Sequence, residues 1–215
     1  MNRPTAADFS RTWAVVPIRG LETAKTRLGG ELDPEERRSL VTEMLRRTLV
    51  ATRDAASLAG TVVVTMDPAA AAMATRHRAI GLLERVPGGL NAAIDAARSV
   101  AIARGASAVL VLPADLAAVS AAALDALVAA ARGAGAEGVA LVVPDRHGEG
   151  TNALLVSPPA AVPPLFGDKS RAAHRAAARA AGLVYLEVDG PLSLDVDTAA
   201  DLLVAGASLG ESLHA

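Results

Sequence analysis

Short apolar runs alternate along the chain with stretches whose apolar positions recur every three or four residues. Trp13 to Ile18 (WAVVPI) predicts a buried first strand that breaks into a glycine- and charge-containing loop. Asp33-Pro34-Glu35-Glu36 predicts a helix start, with Asp33 as N-cap, proline in the first turn and acids beside the positive end of the helix dipole. Leu40, Val41, Met44, Leu45 and Leu49 carry that helix to about Ala55. Thr61–Thr65 is β-branched and bounded by Gly60 and Asp67-Pro68, hence a strand, and a short alanine-rich helix follows. Leu82–Val86 reads as a strand, and Leu90 to Arg104 as a helix ended by Gly105. Ala108–Leu112 is continuously apolar, the mark of a strand covered on both faces. Ser120 caps a helix to Arg132. Val139–Val143 and Thr151–Val156 read as strands, and Ser170 to Ala181 as a helix stopped by Gly182. Leu183–Val188 is a late strand, and Thr198 opens a terminal helix.

Strands alternating with helices predict a single α/β domain with a mainly parallel sheet and helices on both faces. The strands within Val139–Val156 are too close for a helical crossover, which predicts one antiparallel pair and hence a mixed sheet. Residues 1–12 are polar, carry Pro4 and read as a loose N-terminal tail. The domain then spans 13–207, and 208–215 form a C-terminal tail.

Composition removes whole classes of function. The 215 residues are 52 % apolar and 20 % charged, with 21 basic against 23 acidic side chains and a net charge of −2. That balance argues against coating nucleic acid. Aromatics are 2 % of the chain, too few for a base-stacking surface. No cysteine is present, which excludes disulfides, cysteine-based metal sites and a thiol nucleophile. No run approaches a membrane span, and the first residues lack an apolar signal core, so a soluble cytoplasmic protein is the expectation.

Ligands of open α/β sheets bind beyond the carboxyl ends of the strands, and the unusual segments fall there. The loop after the first strand holds Arg19, Lys25 and Arg27, with the mobile positive charge a triphosphate requires. It matches neither common phosphate-loop motif, and an ordinary solvated loop is the competing reading. Asp115, just past the most apolar strand, suits Mg²⁺, or else merely occupies a turn. Asp195 and Asp197 lie at i and i+2 on an extended segment and would face one side with a cation between or beside them, unless Asp197 only caps the next helix. Gly88-Gly89-Leu90-Asn91 lets a ligand approach backbone and offers an amide to a base edge, or simply starts a helix. Gly150-Thr151-Asn152 precedes Phe166-Gly167-Asp168-Lys169-Ser170, where a helix N-terminus could bind an anion. Arg171, Arg175 and Arg179, with His174 alongside, read as a solvated stripe. His77, His147 and His214 have no partner pattern.

Six segments in this order resemble the guanylyltransferases of coenzyme F420 biosynthesis: Ala24-Lys25-Thr26-Arg27-Leu28, Gly89-Leu90-Asn91-Ala92-Ala93, Leu112-Pro113-Ala114-Asp115-Leu116, Gly150-Thr151-Asn152-Ala153-Leu154, Phe166-Gly167 with Ser170 and His174, and Asp195-Val196-Asp197-Thr198. The likeness covers about residues 13–205. It implies a single-domain, nucleotidyltransferase-like (Rossmann-like) fold and a reaction joining GTP to a small phosphorylated three-carbon acid. Thr151, Gly167 and Ser170 would hold the acid. Asp115, Asp195 and Asp197 would hold Mg²⁺, with Lys25 and Arg27 on the triphosphate. Arg19, Gly89 and Asn91 would complete the nucleotide site. Position 19 is Arg where relatives often have Lys, which keeps the charge, and position 117 is Ala where relatives often have Pro.

By analogy with actinobacterial members, the acid expected is phosphoenolpyruvate, with 2-phospho-L-lactate as the alternative. A phosphate oxygen of the acid would attack the α-phosphorus of GTP and release pyrophosphate. Neither nucleic acid nor membrane is an expected partner, and the reading allows a homodimer. Rivals are a molybdenum-cofactor or sugar-phosphate nucleotidyltransferase, which usually carries a first loop of the type GGxSxRMG, and a non-catalytic GTP-binding module. Here Ile18-Arg19-Gly20-Leu21-Glu22 stands in that loop's place.

Overall fold

The computed structural model describes residues 6–22, 30, 32–84, 88–196 and 201. The strands are β1 (Thr12–Pro17), β2 (Leu58–Thr65), β3 (Ile80–Leu83), β4 (Ala108–Val111), β5 (Val139–Pro144), β6 (Thr151–Ser157) and β7 (Val184–Glu187). The helices are α1 (Pro34–Asp54), α2 (Pro68–Arg76), α3 (Leu90–Ala103), α4 (Ala121–Gly133) and α5 (Ser170–Ala180). Local chemistry accounts for their ends. Asp33 closes a capping box on α1: its Oδ1 accepts from the Glu35 and Glu36 amides at 2.8 and 2.9 Å, and Glu36 Oε2 accepts from the Asp33 amide. Ser120 Oγ caps α4 through the Ala123 amide.

All seven strands form one sheet in the order β3-β2-β1-β4-β6-β5-β7. Only β6 is reversed, and it runs antiparallel to both neighbours, β4 and β5. The expected antiparallel pair is therefore present, and insertion of β6 between its neighbours makes two antiparallel seams. The chain runs outward from β1 to β2 and β3, then returns to lay β4 on the other side of β1. This is the switch point beside which open α/β sheets bind ligands. Because β6 is reversed, its first residues Thr151 and Asn152 share the rim formed by the ends of β1, β4 and β5.

Period-two alternation divides the strand side chains between two cores. Val16, Val63, Leu110, Leu141 and Leu155 pack with α1, α2 and α4 on one face. Val15, Val62, Val109, Val142 and Leu154 pack with α3 and α5 on the other. The segment before β1 departs from the loose tail expected of it. Phe9 is buried in the first core, the Ala7 amide donates to the Ala136 carbonyl at 2.7 Å, and Arg132 donates to the Phe9 carbonyl. One aromatic in a polar stretch has no periodicity to announce it, yet it anchors residues 7–11. Residues 208–215 and the terminal helix start at Thr198 lie outside the described residues. Among the described residues no helix is long and apolar enough to cross a membrane.

Candidate active site

The loop after β1 is fastened to the end of β2. The Ile18 amide donates to the Val64 carbonyl, and the Leu21 amide donates to Asp67 Oδ2 at 2.8 Å. Asp67 also caps α2 through the Ala69 and Ala70 amides. Burial opposes the charge on Asp67, but these amides together hold its carboxyl below the usual carboxylate range. Arg19 lies exposed on this loop. Lys25 and Arg27 lie outside the described residues. A cleft of about 910 Å³ opens between α1 and α2, with Leu21, Arg38 and Met73 in its walls, and among the described residues none of those nominated lines it.

At the end of β4 the chain meets the segment after β7. Leu116 and Asp195 form an antiparallel bridge. The Val196 amide donates to the Asp115 carbonyl at 3.1 Å, and the Ala117 amide donates to the Leu194 carbonyl at 3.0 Å. Asp115 and Asp195, eighty residues apart in the chain, are thus offset by one residue across a two-stranded contact. Both are half-buried, and each stands opposite a buried apolar residue, Asp115 opposite Val196 and Asp195 opposite Leu116. Asp197 lies outside the described residues. Asn152, buried at the start of β6, donates to the Leu192 carbonyl at 3.1 Å and to Asp195 Oδ1 at 3.5 Å. Nothing in the sequence assigns Asn152 a role. Its burial beside a carboxylate makes it a support for Asp195.

The second half of the rim is built around a bulge. Val143 pairs with Ala153 and Pro144 with Thr151, so Asn152 is the extra residue in β6. Regular alternation would send Thr151 to the same side as Ala153 and Leu155, under α1 and α4. The bulge re-aims it toward α5, where Thr151 Oγ1 lies 3.0 Å from His174 Nδ1. His174 Nε2 accepts from the Leu165 amide at 3.0 Å, and the rings of Phe166 and His174 meet edge to face at 5.0 Å. Ser170, buried, is the first residue of α5, and no side chain caps that helix. Gly167 has φ +127°, a conformation that any side chain would strain even though the space around it is open.

Asn91 departs from the expected base reader. Its Nδ2 donates to the Phe166 carbonyl at 3.0 Å and its Oδ1 accepts from the Phe166 amide at 2.8 Å. Both ends of the amide are engaged, so Asn91 tethers the loop between β6 and α5 to the start of α3, just after Gly89. The arginine stripe is likewise partly structural. Arg171 and Arg175 both bind Glu187, and Tyr185 donates to it at 2.7 Å. Arg171, opposed by partial burial and joined by Tyr185 and Arg175, draws the Glu187 carboxyl down to about 2.

The rim therefore joins the contact between the Asp115 and Asp195 segments to a hydroxyl-and-helix end. Aspartates supply hard oxygen ligands, and a buried hydroxyl at a helix start suits an anion, although the Ser170 and Arg171 amides already donate to the Gly167 and Glu149 carbonyls. A family model described as guanylyl transferase CofC like matches residues 12–206. A phosphoenolpyruvate guanylyltransferase of Sphaerobacter thermophilus is 44 % identical over 206 residues, covering 94 % of this chain and 96 % of that one. One from Rubrobacter xylanophilus is 42 % identical, covering 92 % and 95 %. In fold, the chain is similar to a 4-diphosphocytidyl-2C-methyl-D-erythritol synthase (TM-score 0.61, 19 % identity, 93 % of this chain and 99 % of that one). It is also similar to a CMP:2-keto-3-deoxy-manno-octonic acid synthetase complexed with CTP (TM-score 0.58, 14 % identity, 94 % and 100 %). With one family spanning nearly its whole length and the nucleotidyltransferase fold beneath it, the chain belongs to the CofC-like guanylyl transferase family.

Proposed function

We propose that this chain transfers the GMP moiety of GTP to phosphoenolpyruvate in coenzyme F420 biosynthesis. The products are enolpyruvyl-2-diphospho-5′-guanosine and pyrophosphate. The observation that carries the reading is the backbone contact that brings the Asp115 and Asp195 segments together at the rim that also holds Thr151 and Ser170. One end suits a metal-bound triphosphate and the other a second anion. The activity of relatives at 42–44 % identity, both phosphoenolpyruvate guanylyltransferases by name, supports phosphoenolpyruvate as the acid.

Thr151, the Gly167 backbone and Ser170 would bind the acid's anionic oxygens. Arg19 and the Gly89 start of α3 would meet the nucleotide, with Lys25 and Arg27 on the triphosphate. One phosphate oxygen of the acid forms a bond to the α-phosphorus as the bond from that phosphorus to the β-phosphate bridging oxygen breaks. The nucleophile is already an anion, so no side chain has to remove a proton. The demand on the protein is to hold two polyanions in line. Asp115 and Asp195, with Asp197, would hold Mg²⁺. Their donor chemistry fits, because Mg²⁺ takes one or two carboxylates and fills its other positions with phosphate and water. Among the described residues no cluster of three ligating side chains occurs, and Asp197 lies outside them. When bound, Mg²⁺ neutralises phosphate charge.

The test is pyrophosphate release and product mass from GTP and Mg²⁺ with phosphoenolpyruvate or 2-phospho-L-lactate. The expected result is a guanylylated product from phosphoenolpyruvate at the higher rate. Faster turnover of the lactate would reassign the acid, and no product with either would overturn the reading.

A further inference from the structure

His174 is a fully buried ring on α5 that no step above uses. The Leu165 amide points at its Nε2. A backbone amide can only donate, so Nε2 presents its lone pair. The proton of the neutral ring is then on Nδ1, and Nδ1 donates to Thr151 Oγ1. The direction of that hydrogen bond matters. A threonine hydroxyl has one proton. Had it donated to the ring, it would offer an anion only lone pairs. Because it accepts from the ring, its own O–H remains to donate. The Phe166 ring, edge to face at 5.0 Å, holds the imidazole plane, and the Asn91 tether holds Phe166 in turn.

We infer that His174 is a positioning residue that sets the Thr151 hydroxyl as an obligatory donor toward an anionic oxygen of the acid and links that donor to the loop carrying Gly167. The inference rests on the reading that Thr151 binds the acid. Burial, which draws the ring's pKa down to about 4, keeps it neutral and the polarity of the bond fixed.

Steady-state kinetics on three variants separate the possibilities. In His174→Gln the side-chain terminus reaches the Nε2 position and not Nδ1, so the donor to Thr151 is lost. In His174→Asn an N–H remains near the Nδ1 position. The expected result is a KM for phosphoenolpyruvate raised about tenfold in Thr151→Val and in His174→Gln, the loss of one hydrogen bond to a charged group. The KM for GTP stays within about twofold, His174→Asn lies near the parent chain, and the double variant Thr151→Val/His174→Gln is no worse than Thr151→Val alone. Additive effects in the double variant, or an equal rise in KM for GTP, overturn the inference. If Thr151→Val leaves the acid's KM unchanged, the placement of the acid falls and the inference with it. If Thr151→Val raises it and His174→Gln does not, the inference alone falls. A readout free of any change at position 174 comes from imidazole nitrogen NMR, assigned in a chain with His77, His147 and His214 replaced by Gln. Protonation on Nδ1 at pH 7 is expected, and protonation on Nε2 overturns the inference.

Discussion

The backbone and the carboxylate of Asp115 have separable tasks. Its carbonyl accepts from the Val196 amide and so closes the contact between the β4 loop and the 194–196 segment. In the proposed site its carboxylate would serve the metal. Asp115→Asn keeps the backbone bond and nearly the same volume while removing the charge. The expected outcome is a turnover at least a hundredfold lower, on the scale seen when a charge-stabilising group is removed from a reacting centre. The midpoint of thermal unfolding should move by no more than a few degrees. Pyrophosphate release and a melting curve on the same sample check it, and an active Asp115→Asn chain would remove this aspartate from the metal site. The residues legible in advance were of this type, polar groups standing alone at the ends of apolar runs. Asn91 was also visible, but not its tether, because an amide at a helix start looks the same whether it faces a base or a loop. Only the fold shows that Phe166 occupies both its ends.

Elements were legible where the cause is local. The capping box at Asp33 and the apolar spacing of α1 fix that helix within one residue of its expected end. Strands β2 and β3 start three and two residues earlier than their patterns suggest, because pairing to a neighbour extends a strand beyond its apolar run. The place of β6 between β4 and β5 was not legible, since partner choice depends on residues far off in the chain. Nor was the bulge at Asn152, which has no apolar pattern of its own and yet decides that Thr151 faces α5. Close approach of elements yields a sharp prediction at Gly81 in β3. A Cβ there would lie 2.4 Å from the Ala71 carbonyl oxygen of α2, and backbone cannot swing away as a flexible side chain can. Gly81→Ala should therefore push α2 off the sheet edge and cost about 1–3 kcal/mol, the scale of overpacking. Urea denaturation checks it, and an unchanged midpoint would show that α2 can shift freely.

The whole molecule has a stability that depends on two groups at its rim, each acting in its own pH window. His174 is drawn down to about 4 by burial, from an ordinary value near 6.5. The unfolded chain takes up a proton on this ring near pH 6.5, and the folded chain does so only near pH 4. Between those values the unfolded state binds more protons, so stability falls as the pH is lowered. The loss is complete below pH 4, amounts to about 3 kcal/mol, and is absent above pH 6.5. Glu187 acts lower. Its folded value of about 2 lies below the ordinary carboxylate range, so its contribution is present above about pH 4.5 and disappears as the pH falls toward 2. Urea denaturation at pH 7.5, 6.5 and 5.5 samples the first window alone. The expected result is a free energy of unfolding that declines across that series in the parent chain and stays nearly level, from a lower start, in His174→Asn. An equal decline in both would mean that the ring titrates normally in the folded protein, that its nitrogens are open to water, and that the tie between α5 and β6 is not made through a neutral imidazole.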